Sequence, residues 1–131
     1  MDERTFKDRT KKFAIAVVQL VESLPRSRTA DVLGRQLLRS GTSVGANYRA
    51  ACRGRSASDV VSKLGIVEEE ADESVYWMEL LAEAGIVSGD RINSLKKEAN
   101  EILAMTVASI KTLRSRMRSA DQPCGYPKSK I

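Results

Sequence analysis

Leu33–Arg55, reading LGRQLLRSGTSVGANYRAACRGR, constrains the fold more than any other stretch of the chain, because coiled as a helix its residue types separate into three faces. At about 100° per residue, Leu33, Leu37, Ser40, Val44 and Ala51 share one side, and Arg35, Arg39, Arg49 and Arg53 gather within about 80° on the opposite side. The first is a core face and the second a cationic stripe. Gly34, Gly41, Gly45 and Cys52 form a third strip about 40° wide. An interior glycine costs a helix about 1 kcal/mol relative to alanine, so three on one line predict another helix packed close against them. Gly41 and Gly45 are thereby expected at an interaction surface, assigned here to contacts between subunits. Ser40 and Asn47, on or bordering the apolar face, are expected to be buried and hydrogen-bonded, since an unpaired polar group there costs about 1–3 kcal/mol.

The same helical period recurs along the chain. Phe6, Phe13, Val17, Leu20 and Leu24 line one face of a segment from about Thr5 to Leu24, which Pro25 ends. A second helix runs from about Thr29 or Ala30 to Arg53, with Gly54 available for a left-handed C-terminal cap. Ser56-Ala57-Ser58-Asp59 has the form of a capping box and opens a third helix, with core positions Val60, Leu64, Val67, Ala71, Met78 and Leu81 and a stop near Gly85. Ser88-Gly89-Asp90 introduces a fourth, in which Leu95, Ala99, Ile102, Thr106, Ile110, Leu113 and Met117 recur at helical steps. Short joints between long helices make sequence neighbours antiparallel, so the expected fold is all-α, an up-down-up-down antiparallel four-helix bundle. Residues 1–119 form this domain, and residues 120–131, with Pro123, Gly125 and Pro127, read as a flexible basic C-terminal tail.

Composition removes several functions. With no histidine and only Cys52 and Cys124, the chain lacks the ligands of a zinc or haem site and the usual base for a serine or cysteine nucleophile, so no metal, no cofactor and no enzymatic activity are expected. Glu68 and Asp72 share a helix face, but bundle di-iron sites need Glu-x-x-His pairs. The N-terminus has no apolar signal region and no apolar run approaches the ~20 residues of a membrane span, which points to a cytoplasmic protein with no membrane partner. A net charge of +5 and a pI near 9.4 favour polyanionic partners.

Two readings of the charge remain open. In one, Arg35, Arg39, Arg49, Arg53 and Arg55, with Lys96, Lys97, Lys111, Arg114 and Arg118 of the fourth helix and Lys128 and Lys130 of the tail, contact RNA or DNA phosphates. Aromatics are too few and scattered for base stacking. In the other, the arginines are used up by an acidic stripe of Glu68, Asp72, Glu79 and Glu83, within one subunit or across two, and the protein is a protein–protein scaffold or adaptor. A second apolar line on the third helix, Ile66, Trp77, Leu80 and Ala84, lies opposite its core line. It either covers a joint inside one bundle or, anchored by Trp77, forms the interface of a homo-oligomer.

Across Leu24-Pro25, LGRQLLRSGTSVGANYRAACRGRS and KLGIVEEEADESVYWMELL, the chain resembles the four-helix bundle family of proteins encoded in bacterial ribosomal-RNA intervening sequences, with Gln36 to Asn47 as its signature. That family is similar in fold to the accessory variability protein of diversity-generating retroelements. The resemblance implies a homopentamer with a basic surface, and partners among RNA, DNA and a reverse transcriptase or other protein. Where many relatives carry N-I-A-E-G, this chain has Asn47-Tyr48-Arg49-Ala50-Ala51, so an acidic position becomes apolar and an arginine enters.

Overall fold

A computed structural model describes residues 2–119, which form four helices: α1 (Glu3–Glu22), α2 (Arg28–Cys52), α3 (Ala57–Glu83) and α4 (Gly89–Ser119). The first three starts have a local cause. The Asp2 carboxylate accepts from the Arg4 amide, Ser27 accepts from Ala30, and Ser56 accepts from Asp59 at 3.1 Å, each hydrogen bond satisfying an orphan donor of the first turn. The box at Ser56 is not closed in the expected way. Asp59 reaches back to the Arg55 amide at 3.2 Å, one residue upstream of the cap.

α1 starts and ends about two residues earlier than its apolar period suggests, leaving Leu24 only partly buried. Gly85, with φ of 75°, follows α3 in the left-handed region and is the only described residue there. Gly54 therefore does not supply the left-handed cap expected of it. Its role is steric: a Cβ would collide with Val60, folding back at the start of α3, and would stand 3.0 Å from the Ala51 carbonyl.

The core is drawn from all four helices. Phe13, Leu20, Leu37, Val44, Leu64, Val67, Ile102 and Leu113, all expected inside, are buried, together with Phe6, Tyr48, Met78 and Ile92. Leu33 and Leu95 are half-buried and Met117 is exposed, because α4 runs on past Leu113, its last buried residue. Ser40 and Ser74 meet in the apolar seam between α2 and α3. Ser74 donates across it at 2.9 Å, and Ser40 donates to the Leu37 carbonyl. Asn47 is only half-buried, its amide donating to the Ser43 carbonyl at 2.8 Å.

Gly34, Gly41 and Gly45 take the close contact predicted for them, but the segment they receive is α1 and its exit, in the same chain. A Cβ on Gly41 would lie 2.8 Å from both methyls of Val17, one on Gly34 would lie 2.9 Å from Leu24, and one on Gly45 would lie 3.3 Å from the Thr10 hydroxyl. Positions rise along α1 as they fall along α2, so the two helices are antiparallel. The assignment of Gly41 and Gly45 to a subunit interface is corrected accordingly: the space above them is filled from within.

Two glycines separate packing from propensity. Gly41→Ala gains about 1 kcal/mol of helix propensity, but it forces the stiff β-branched Val17 out of a closed contact, which typically costs about 1–3 kcal/mol. Gly65, in the middle of α3, has nothing within 4 Å of the point a Cβ would occupy. Urea denaturation is expected to find Gly41→Ala less stable than the parent and Gly65→Ala more stable by up to about 1 kcal/mol.

Candidate functional site

The cationic stripe of α2 divides according to what faces it. Arg39 reaches α3, where its guanidinium meets the Glu70 carboxylate at 3.2 Å and that of Glu73. Glu73 also accepts the Trp77 indole N–H at 3.1 Å. Burial pushes the Glu70 carboxyl above its ordinary value, against the opposing pull of Arg39. Arg39 is thus a bridge between helices. Its partners are not Glu68, Asp72, Glu79 or Glu83, because α2 lies along a flank of α3 and those carboxylates sit on other parts of its surface. Arg35 pairs with Asp31 one turn earlier at 2.8 Å, both side chains well exposed.

Arg49, Arg53 and Arg55 are exposed and, among the described residues, paired with no carboxylate. They stand at the end of the bundle where α1 and α3 begin and α2 and α4 finish. Lys111, Arg114 and Arg118, exposed on the last turns of α4, collect at that end as well. Lys96 and Lys97 do not. They lie near the start of α4 at the opposite end, Lys96 4.0 Å from Glu79 and Lys97 in a groove with Lys12, Glu98 and Glu101. The surface expected from the sequence is therefore split, with Arg35, Lys96 and Lys97 in mixed-charge surroundings and the others on a cationic pole.

α1 contributes charges outside the set expected from the sequence. Arg4, Lys7 and Lys11 follow a helical spacing along one side of α1 and, with Thr5, Asp8 and Arg49 of α2, line an open cleft of about 650 Å³. Their spacing is the available signal, masked by the acids interleaved with them. Arg9 is a further addition. It forks onto Glu98 at 2.7 and 2.8 Å and Glu101 at 2.9 Å, tying α1 to α4, and these carboxylates raise its pKa further.

Ile66, Trp77 and Leu80 are half-buried on α3. Trp77 packs against the core and meets Tyr76 edge-to-face at 5.1 Å, and Tyr76 is 55% exposed. The indole therefore covers its own bundle, while the Tyr76 ring stands in solvent.

Near the cationic pole, Tyr48 is fully buried edge-on to Phe6 at 4.6 Å, and its hydroxyl is the one described buried side-chain atom without a hydrogen-bond partner. Beside it, burial first and then the neighbouring Glu3 carboxylate push the Cys52 thiol up to about 11. Among the described residues, no three His, Cys, Asp or Glu side chains converge as metal ligands, and no helix is long and apolar enough to cross a membrane. Cys124, Lys128 and Lys130, with the rest of the expected tail from Ala120, lie outside the described residues.

Residues 3–108 match the family model described as 23S rRNA-intervening sequence protein. The chain belongs to this family. A crystal structure of a protein of unknown function from the S23 ribosomal protein family of Bacteroides thetaiotaomicron is 35% identical, with a TM-score of 0.79, and the alignment covers 85% of this chain and 99% of that one. Comparison with curated proteins finds no match. The family match ends before Lys111, so the basic last turns of α4 lie beyond it.

A protonated thiol at neutral pH is a poor nucleophile. In a Cys124→Ser variant, Cys52 is expected to react with iodoacetamide at pH 8 about 100-fold more slowly than a free cysteine. The rate should climb with pH until the thiol titrates near 11. A plateau near pH 8.5, the range of an unperturbed thiol, would remove the burial effect.

Proposed function

We propose that this protein is a non-enzymatic, oligomeric accessory module that binds RNA or DNA through phosphate contacts at its cationic pole. The observation that carries the reading is the sorting of charge: Arg39 and Arg35 are satisfied within the chain, whereas Arg49, Arg53, Arg55, Lys111, Arg114 and Arg118 are exposed at one end without carboxylate partners among the described residues. Neutralising phosphates there releases condensed counterions, which favours binding without base reading. A scaffold reading draws on the Arg39 bridge, where an arginine of the stripe is spent on structure. The remaining pole favours the polyanion.

Fluorescence anisotropy with a labelled mixed-sequence RNA is expected to give log affinity that falls linearly with log salt and changes little with sequence. Arg53→Gln with Arg114→Gln should reduce the slope by about one for each arginine that touches a phosphate. No complex at about 50 mM salt, where phosphate contacts are strong, would leave the scaffold reading in place.

The assembly proposed with it is a homopentamer, five copies by the family likeness, using the Ile66, Trp77 and Leu80 flank of α3 with Tyr76 at its edge. A reverse transcriptase or other protein partner belongs to this proposal by the same likeness. Light scattering after size exclusion is expected to return a multiple of the 14.4 kDa chain mass. Tyr76→Asp should lower that mass, and a monomer at micromolar concentration would overturn the assembly.

A further inference from the structure

We infer that the cleft between the first turns of α1 and the last turns of α2 is a phosphate-backbone subsite, which carries the nucleic-acid contact from the pole onto the α1–α2 flank. It rests on the function proposed above. Close packing builds it. Gly45 lets the Thr10 region of α1 approach α2, and Arg49, one helical turn beyond Gly45 on the same face, is brought over the side of α1 that bears Arg4 and Lys11.

The acids nearby are already answered. Asp8 pairs with Lys12 at 3.0 Å, Lys7 lies 3.9 Å from Glu3, and the Thr5 hydroxyl donates to Asp2 at 3.0 Å. Arg4, Lys11 and Arg49 are left without carboxylate partners among the described residues, and all three are exposed. Their charge is met only by water and mobile ions, which a polyanion can displace.

The form of the cleft selects the class of anion. Open, and lined by polar residues and their aliphatic stems, it holds no aromatic ring or buried apolar side chain on which a base or a small organic molecule could rest. A lone phosphate gains little from exposed cations competing with water and salt. Linked phosphates gain at every contact, and Arg4 and Lys11 are about 10 Å apart along α1, far enough to touch more than one. The occupant that fits is a nucleic-acid strand bound by its backbone. A free nucleotide is not.

Anisotropy of the full-length protein with a mixed-sequence 20-mer RNA tests this. Arg4→Gln, Lys11→Gln and Arg49→Gln combined should lower the salt slope by about two to three units and weaken binding at least about tenfold at 100 mM salt. Circular dichroism and a thermal melt confirm that this variant, altered only at exposed positions, remains folded; the pair Arg4→Gln and Lys11→Gln gives a milder version with a drop of about one to two units, on the order expected per phosphate. Arg35→Gln, whose parent arginine is paired with Asp31 at the other end, should leave the slope unchanged. A mononucleotide at millimolar concentration should leave the RNA bound.

If the parent binds RNA and the combined variant matches it in slope and affinity, the cleft is not a contact and the pole acts alone. If a mononucleotide displaces the RNA, the occupant is a single phosphate and the inference fails. A parent that binds no RNA removes the proposed function itself.

Discussion

The near contact of α1 with the glycine strip of α2 organises the rest of the molecule. Gly34, Gly41 and Gly45 admit Leu24, Val17 and Thr10 so closely that a single methyl group would press on each of them. Dispersion acts over short range, so helices brought this near gain contact along their whole length. The fit also settles register, because Val17 can enter only where the Cβ is missing. The helix propensity surrendered by the glycines is returned as packing, and with α1 so placed, Phe6 reaches Tyr48 and Arg9 reaches α4.

Arg39 and Arg9 show how little a basic residue's sequence says about its use. Arg39 belongs to the cationic stripe of α2 and Arg9 to a basic run of α1, and both are drawn to carboxylates on a neighbouring helix, Arg39 to Glu70 and Glu73 and Arg9 to Glu98 and Glu101. Each pair of carboxylates is three residues apart, on one face, so the guanidinium fork can meet two at once. α1 and α4 touch more lightly than the other neighbouring helices, and Arg9 is the fastening between them. Arginines lacking such a neighbour are the ones left to solvent.

Periodicity makes the helices and the core legible, since a residue such as Leu37, Val67 or Ile102 betrays its face by its spacing alone. It reports an angle about one axis. It does not report which helix waits at that angle, and for this reason Gly41 and Gly45 point equally well to a second subunit and to α1, which is their occupant. Arg39 presents the same difficulty with its acidic partners. Gly54 misleads because glycine serves both a left-handed backbone and a missing Cβ, and only the position of Val60 tells them apart. At the candidate site, Arg49 and Arg53 are legible as exposed cations, whereas the joining of Arg49 to Arg4 and Lys11 depends on the tertiary approach of α1.

The clustering of unpaired cations at one end also gives the molecule a direction. Antiparallel helices largely cancel one another's backbone dipoles, so the side chains decide the electric axis. Positive charge outweighs negative where α2 and α4 finish, while at the far end Arg26, Arg28, Arg35, Arg91 and Lys96 share their surroundings with Glu22, Asp31, Glu79, Glu83 and Asp90. The four-helix unit consequently carries an asymmetry of charge along its axis, in addition to the net charge of +5 of the whole chain. In the field of any polyanion such a charge distribution feels a torque as well as a pull, and the torque turns the cationic end toward the polyanion.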